Sequence, residues 1–266
     1  MRFSRKKKIE PAFWIAVWCS TIILVFILLP LIQMCISPSL QDLKVTIQDP
    51  DVLRAIWLSI YTAALAAVMS FVFGTPFAYL LARKTFPGKK IVESIIDLPI
   101  VIPHPVIGIA ILGLVGKNHW IGRCLHSLGI RIMSSVAGIV VVLIFVGLPF
   151  YINTVKTGFE AIPVRLEHVS RSLGAPFIAT FFRITFPLAW RSMLAGIIMC
   201  AARAISEFGA VVVVAYHPMI APILIYERFT AFGMKYSQPI SVWLILVCLA
   251  LFVLLRFVSL PKKQEQ

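Results

Sequence analysis

Long stretches without any charged residue dominate this chain and restrict what it can fold into. A bilayer core about 30 Å thick requires about 20 apolar residues in a helix, and residues 11–36 alone exceed that length without one charge. Soluble proteins are about 45–50% apolar and about 25% charged, whereas this chain is 60% apolar and 14% charged. We therefore predict an all-α polytopic membrane protein, with residues 1–266 forming a single transmembrane domain. The six predicted spans are residues 11–36, 55–82, 91–115, 134–155, 189–215 and 239–260.

The distribution of basic residues predicts the orientation of these spans. The 25 Lys and Arg outnumber the 11 Asp and Glu and give a net charge of +14, which by itself would also suit a nucleic-acid-binding protein. Most of them fall in segments that share one side of the membrane: five in 1–10, four in 83–90, five in 156–191 and three in 256–266. Because cytoplasmic loops are rich in Lys and Arg, we expect a cell-membrane protein with both termini in the cytoplasm. No nucleic-acid partner is needed to explain the charge.

The cytoplasmic loop at about 156–188 contains a segment that predicts a short amphipathic helix, PVRLEHVSRSLGAP at 163–176. Gly174 suits a left-handed stop, and the proline two residues later prevents continuation. A helix of about ten residues is marginal alone, so it either docks on a soluble partner or lies on lipid headgroups. A second amphipathic piece, 177–186, is expected to follow after a turn. In the first helix the predicted apolar stripe is Leu166, Val169 and Leu173, and the remaining surface carries Arg165, Glu167, His168, Ser170 and Arg171.

The third predicted span carries three prolines around a histidine. Pro99, Pro103 and Pro105 each remove a backbone donor, so the helix is expected to be kinked or broken beside His104. Irregular backbone inside a membrane is tolerated where it is packed in protein or lines a cavity, and the N-terminus of a half-helix suits an anion. His104 either lines a translocation pathway or hydrogen-bonds a neighbouring carbonyl at a packing kink.

The fifth predicted span contains a charged pair, Arg203 and Glu207, four residues apart and near mid-span. Charges at that depth cost several kcal/mol (about 2.5–3.5 on insertion scales) unless they are paired or hydrated. The pair either shapes a gate, with Ser206 and Gly209 beside the pathway, or neutralises itself for structural reasons. We favour the gate, because a lone Arg would hold a dehydrated anion too tightly to release it. In the second span, by contrast, small residues spaced 4, 3 and 4 apart from Ala63 to Gly74 indicate helix packing.

One motif in the cytoplasmic loop resembles the EAA loop of permease subunits in binding-protein-dependent ABC importers. The family pattern is Glu-Ala-Ala, three residues, Gly, nine residues, Ile, one residue and Leu-Pro. Here Gly174, Ile184 and Phe186-Pro187 keep that spacing, with Phe in place of Leu. The Glu-Ala-Ala positions hold 168–170, His-Val-Ser, and the acid Glu167 lies one place earlier.

Longer stretches extend this resemblance to one branch of the family. Residues 73–89, 97–112 and 203–228 are similar to the molybdate/tungstate permeases, with sulfate permeases as nearer cousins than sugar or amino-acid ones. The resemblance implies an importer that passes a tetrahedral oxyanion, with a sulfate/thiosulfate permease as the alternative.

The resemblance also implies that separate subunits form the pore, hydrolyse ATP and deliver the anion. Two copies of the chain would form the pore, two ATPase subunits would dock on the cytoplasmic loop, and an extracytoplasmic protein would deliver the anion. The phosphate-binding pattern Gly-x4-Gly-Lys-Ser/Thr is absent from the sequence, so we expect a non-catalytic subunit without a cofactor or bound metal. The residues implied to couple transport to ATP hydrolysis are Arg165, Leu166, Glu167, His168, Val169, Ser170, Arg171, Leu173 and Gly174.

Two other classes of protein fit the sequence less well. An ion-driven secondary transporter would show coupling acids near the midplane, where only Glu207 qualifies. An intramembrane enzyme would need paired ligands or a nucleophile motif, and neither His-Glu-x-x-His nor Gly-x-Ser-x-Gly occurs. The external stretch 216–239 is either a docking surface for a binding protein or a plain cap. Residues expected along the pathway or at its gate are Pro103, His104, Pro105, Arg203, Ser206, Glu207 and Gly209.

Overall fold

The computed structural model describes residues 11–116 and 119–259, and every regular element in these two ranges is a helix. The basic cluster of residues 1–10 and the tail of residues 260–266, which entered the orientation argument, lie outside the described residues. The thirteen α-helices of the described ranges are α1 (Pro11–Ile36), α2 (Leu40–Gln48), α3 (Pro50–Arg83), α4 (Lys89–Val101), α5 (His104–Val115), α6 (Trp120–Ser127), α7 (Val136–Glu160), α8 (Val164–Ser172), α9 (Phe177–Thr180), α10 (Phe186–Ile205), α11 (Val211–Val214), α12 (Ala221–Phe232) and α13 (Met234–Ser259).

The membrane helices agree with the predicted all-α class and with about six spans. Within the described residues, five helical stretches are long and apolar enough to cross a bilayer, and the bent pair α4–α5 makes six. Some helices extend further than the apolar runs: α3 begins at Pro50 rather than near 55, because the Asp49 side chain accepts from Asp51 N at 2.9 Å and caps the helix. Likewise, α7 continues to Glu160, so Lys156 lies inside a helix and not in a loop.

The third predicted span is broken, as its prolines indicate. Helices α4 and α5 meet at an angle of 111°, at Ile102 and Pro103. The α4 half is amphipathic, and it turns its polar side chains toward α7: Asn153 donates to Asp97 at 2.7 Å, and Lys156 pairs with Glu93. Val92 and Ile96 pack against the core on the same side, while Ile91, Ile95 and Leu98 are exposed. The polar contacts therefore fix α4 against α7, and α5 alone continues along the bundle.

The prediction of a fifth span at 189–215 is wrong at both ends. The spanning helix starts at Phe177 as α9, widens into a π-helical turn at Phe181–Thr185, and continues as α10. Pro187 cannot donate to the carbonyl four residues earlier, which accounts for the wide turn. The segment 177–186 is therefore part of this span and not a separate piece after a turn. The helix ends at Ile205, so Glu207 lies beyond its last turn.

Three helices, α3, α7 and α10, pack against one another and form the core. The small residues of α3 that predicted helix packing are all buried, from Ala63 through Ser70 to Gly74. A Cβ at Gly74 would come within 2.7 Å of Tyr151 Cδ1 on α7, so no larger residue fits at this crossing. Helix α1, in contrast, is exposed along nearly its whole length and meets the bundle near α13.

Candidate functional site

The structure brings together all seven residues predicted for the pathway or gate. They come from two places where the helices stop: the start of α5, where Pro103, His104 and Pro105 lie, and the end of α10, where Arg203 lies in the last turn and the other three follow it. From this cluster α5 runs 12 residues to Val115, about 18 Å at 1.5 Å per residue. In a core about 30 Å thick, that length puts the cluster near mid-depth.

A charged triad forms the centre of this cluster. Arg203 Nη2 donates to Glu207 Oε2 at 2.7 Å and also contacts His104 Nε2. A guanidinium can only donate, so the Arg203 side chain presents its N–H groups to both neighbours. His104 Nε2 lies 3.8 Å from Glu207 Oε2. Arg203 and Glu207 therefore form an ion pair in which their charges cancel, with His104 beside it.

Glu207 also determines where the helix ends. Its Oε1 accepts from the backbone N–H of Ala210 at 2.9 Å, which turns the chain back after α10. The turn brings Gly209 against α5, where a Cβ would lie 3.0 Å from His104 Cβ and 3.3 Å from Pro105 Cδ. Ser206 Oγ closes the last turn by donating to Arg203 O at 3.0 Å. A larger residue at position 209 would therefore be crowded by α5.

The two charges of the triad differ in their access to solvent. The carboxylate of Glu207 is 1% exposed, whereas the side chains of Arg203 and His104 are 18% and 40% exposed. The N-terminus of α5 contributes little itself, because Pro105 has no N–H and the amides of Val106 and Ile107 both donate to Pro103 O. The side chains of Arg203 and His104 are thus accessible to solvent, and Glu207 is buried beneath them. Such a site can hold an anion weakly and release it again.

A second polar site anchors α8, and it reverses one prediction. Glu167, expected on the open surface of the helix, is buried. It accepts from Tyr79 Oη at 2.8 Å, from Arg83 Nε at 2.9 Å and from Thr185 Oγ1 at 3.1 Å. Arg83 and Glu167 side chains are only 6% and 9% exposed. A buried Arg needs a counter-charge, so the ion pair and not the apolar stripe determines which face of α8 turns inward.

The predicted apolar stripe of α8 consequently faces outward. Leu166 and Val169 are 43% and 50% exposed, and Leu173 is 83% exposed. These three residues and Ile184 line a shallow open depression. The helix ends as predicted at Gly174, whose φ of +87° lies in the left-handed region. Three of the remaining residues, Arg165, His168 and Arg171, are exposed, whereas Ser170 is half-buried with its Oγ 3.0 Å from Oγ1 of the buried Thr180.

Tyr79, Arg83 and Thr185 hold α8 in place but do not stand out in the sequence. Arg83 counted only as a marker of orientation, since basic residues at the ends of spans are common. The available signal was the spacing of Tyr79 and Arg83, four residues apart on one face of the last turns of α3. A hydroxyl and a cation on that face predict an acidic partner, but not that the partner is Glu167.

Comparison with known proteins gives one family and one fold. The family model described as "Binding-protein-dependent transport system inner membrane component" matches residues 74–260. The molybdate/tungstate transport system permease protein WtpB of Methanocaldococcus jannaschii is 43% identical over 234 residues, 88% of this chain and 91% of that protein. The sulfate transport system permease protein CysT of Synechocystis is 31% identical over 260 residues, 93% and 91% of the two chains. In the crystal structure of a bacterial alginate ABC transporter with its alginate-bound periplasmic protein, one chain matches with a TM-score of 0.75 at 17% identity, over 96% of this chain and 97% of that one.

The ion pair that anchors α8 can be tested by its effect on stability. Arg83→Gln should lower the free energy of unfolding by about 3–5 kcal/mol, because it leaves Glu167 buried without a counter-charge. The double variant Arg83→Gln/Glu167→Gln should recover a large part of that loss. Titration of the purified protein with SDS, followed by circular dichroism, measures both.

A matched control is Arg54→Gln. Arg54 lies 3.7 Å from Asp51 in a pair that is 80% and 68% exposed, so its loss should cost less than about 1 kcal/mol. A double variant no more stable than Arg83→Gln would mean that the charge balance does not hold α8.

Proposed function

Because the chain belongs to the family of binding-protein-dependent transport system inner membrane components, we propose that it is the permease subunit of an ABC importer for molybdate or tungstate. One observation carries the choice of anion: identity to the permease named for molybdate and tungstate exceeds identity to the sulfate permease, over nearly the whole chain in both cases. A sulfate/thiosulfate permease is the alternative. Molybdate, tungstate and sulfate are all tetrahedral and doubly charged, so the choice between them does not alter the mechanism below.

The proposed assembly contains two copies of this chain, two ATPase subunits and an extracytoplasmic binding protein. Residues 1–266 form one transmembrane domain with both termini in the cytoplasm, which is supported by the excess of Lys and Arg on the N-terminal side. In this orientation α8 and the end of α3 lie in the cytoplasm, and α6 and α12 lie outside. ATP hydrolysis belongs to the ATPase subunits, and this chain catalyses no reaction.

Helix α8 is the proposed coupling helix. Its outward stripe of Leu166, Val169 and Leu173 offers an apolar surface to a groove of the ATPase, and Glu167 on the opposite side fastens the helix to α3. Glu167 therefore acts within the chain, while the exposed Arg165, which lies beside the apolar stripe, faces the partner. The coupling surface comprises Arg165, Leu166, His168, Val169, Ser170, Arg171, Leu173 and Gly174, with Glu167 as its anchor.

The triad of His104, Arg203 and Glu207 is the proposed gate. A dianion that has lost part of its hydration shell is attracted by donors on Arg203, beside His104, while Glu207 balances the charge of Arg203. Permeation requires binding that is favourable enough to admit the ion and weak enough to release it. Pro103, Pro105, Ser206 and Gly209 shape the two helix ends that hold the triad.

Reconstituted vesicles test the function directly. Vesicles that contain this chain with its ATPase partner inside and the binding protein outside should accumulate labelled molybdate or tungstate only when ATP is present. Sulfate at equal concentration should compete poorly. Vesicles without the ATPase are the control: uptake there on an ion gradient would reject the ABC importer, and preferential uptake of sulfate would establish the alternative anion.

Leu173→Asp should abolish coupling, since a charge in the middle of an apolar docking surface must be desolvated when the partner binds. The ATPase subunit should no longer copurify with the variant, although the permease still folds. Leu128→Asp is the matched control: Leu128 is 68% exposed after α6, at the other end of the bundle, and should retain the ATPase. Normal copurification and transport in Leu173→Asp would contradict the role of α8.

Glu207→Gln should slow transport while the complex still assembles. The amide is similar in size and its oxygen can still accept from Ala210 N–H, but Arg203 is no longer neutralised and holds the anion. Uptake should fall about tenfold, which corresponds to about 1.4 kcal/mol of tighter retention, and bound anion should become detectable. Arg203→Ala should also impair passage without loss of assembly.

Glu160→Gln is the control for this experiment, because Glu160 pairs with Lys156 at 3.8 Å away from the triad. If Glu207→Gln or Arg203→Ala instead prevented assembly of the complex, the triad would be structural and not a gate.

A further inference from the structure

An apolar groove of about 700 Å³ runs along the outer side of the bundle, between α3, α8 and the α9–α10 helix. The gate does not account for it, and the coupling surface shares only the mouth of the groove, at His168 and Arg171. One wall is α3, with Val72, Pro76 and Leu80, and the other is aromatic, with Phe177 and Phe182. Val72, Leu80 and both of these phenylalanines are 45–60% exposed, so the groove opens sideways. Cavities of about 300–1,000 Å³ commonly bind small ligands.

The length of the groove matches one leaflet of a bilayer. Its inner limit is Phe71 and its mouth is Lys84, 13 positions later at the end of α3, which is about 20 Å at 1.5 Å per residue. Half of a hydrocarbon core about 30 Å thick is about 15 Å. The groove can therefore accommodate one extended acyl chain, and its mouth lies at headgroup depth.

The charges of the groove are all at its mouth, and they are mainly positive. Lys84, His168 and Arg171 line this end and are exposed. The acid there, Glu167, is already neutralised by Arg83 at 2.8 Å. Two free cationic side chains above a deep apolar groove are complementary to a phosphate attached to a hydrocarbon chain. Basic pockets between transmembrane helices on the cytoplasmic side bind anionic headgroups in this way.

We propose that this groove binds an anionic phospholipid, with one acyl chain between α3 and the α9–α10 helix and the phosphate between Lys84 and Arg171. Its location in the cytoplasmic leaflet rests on the orientation given under the proposed function. The chain of the lipid contacts the π-helical turn, and its headgroup contacts α8, next to Tyr79 and Glu167. The lipid thereby fills the space beside the anchor of α8.

Native mass spectrometry of the purified complex tests this site. The full chain, with the subunits that copurify, is incubated with phosphatidylglycerol and phosphatidylcholine of identical acyl chains, and the retained lipid is counted. We expect one retained phosphatidylglycerol per chain and little phosphatidylcholine. Lys84→Gln should weaken retention about fivefold, which corresponds to the ~1 kcal/mol contributed by one basic residue near a membrane surface. Its control, Lys90→Gln, removes a neighbouring exposed lysine that does not line the groove.

A second pair of variants tests the apolar part of the groove without changing any charge. Val72→Trp fills the groove and should abolish retention of phosphatidylglycerol. Val68→Trp, one turn earlier on α3, should not, because Val68 is 50% exposed against 51% for Val72 but does not line the groove.

Equal retention of the two lipids, or equal retention in all four variants, would overturn the proposal in favour of ordinary lipid contact. Separation of the two permease copies by Val72→Trp would show that a second copy occupies the groove instead. Lipid retention is measured without transport, so failure of the lipid site and failure of the proposed importer function remain distinguishable.

Discussion

The requirement that backbone polar groups be satisfied inside a bilayer governs this structure. An unpaired amide or carbonyl in hydrocarbon costs several kcal/mol (about 4–8 for water to cyclohexane), so a transmembrane helix can stop within the core only where something replaces its hydrogen bonds. Both mid-depth breaks meet this condition. Pro103 O accepts from two amides at the start of α5, and Glu207 accepts from Ala210 N–H after α10. Because the two breaks pack on each other, each helps to hold the irregular backbone of the other, and a polar site can exist there.

Two ion pairs within the bundle differ in their exposure, and the difference matches their proposed roles. Arg83 and Glu167 are both closed off, with two hydroxyl groups that complete the shell of the carboxylate. Removing one partner leaves an uncompensated buried charge, so this pair is suited to a fixed anchor. In the other pair Glu207 is buried but Arg203 retains donors on an open side, so the cation can exchange part of its interactions with a passing anion.

The sequence predicted those features that arise from local chemistry. The bounds of α1, the break at Pro103 and the stop at Gly174 follow from apolar length, missing donors and backbone freedom. The end of α10 could not be predicted, because the apolar run that predicted the span continues through residues 206–215. The break after Ile205 depends instead on Glu207 and on contact with α5. The prediction that Glu167 lies on the open surface of α8 was wrong for a similar reason: the buried Arg83, 84 positions away in sequence, requires Glu167 to point inward.

The connection between α8 and the proposed gate is continuous. Glu167 joins α8 to Arg83 on α3 and to Thr185 in the π-helical turn, and from Phe177 to Ile205 a single helical stretch of 29 residues leads to Arg203. That length is about 44 Å, longer than the hydrocarbon core, so in the proposed mechanism a displacement of α8 acts on the same helix that carries Arg203. This helix has one weak point, the wide turn at Phe181–Thr185, where backbone hydrogen bonds are rearranged. If a movement of α8 bends the helix at this turn, Arg203 does not move. If the turn keeps its shape, the whole helix moves together and Arg203 at the proposed gate is displaced. The aromatic packing of Phe181 against Tyr79 and Phe186, with centroids 5.2 and 6.2 Å apart, stiffens the turn and favours the second outcome.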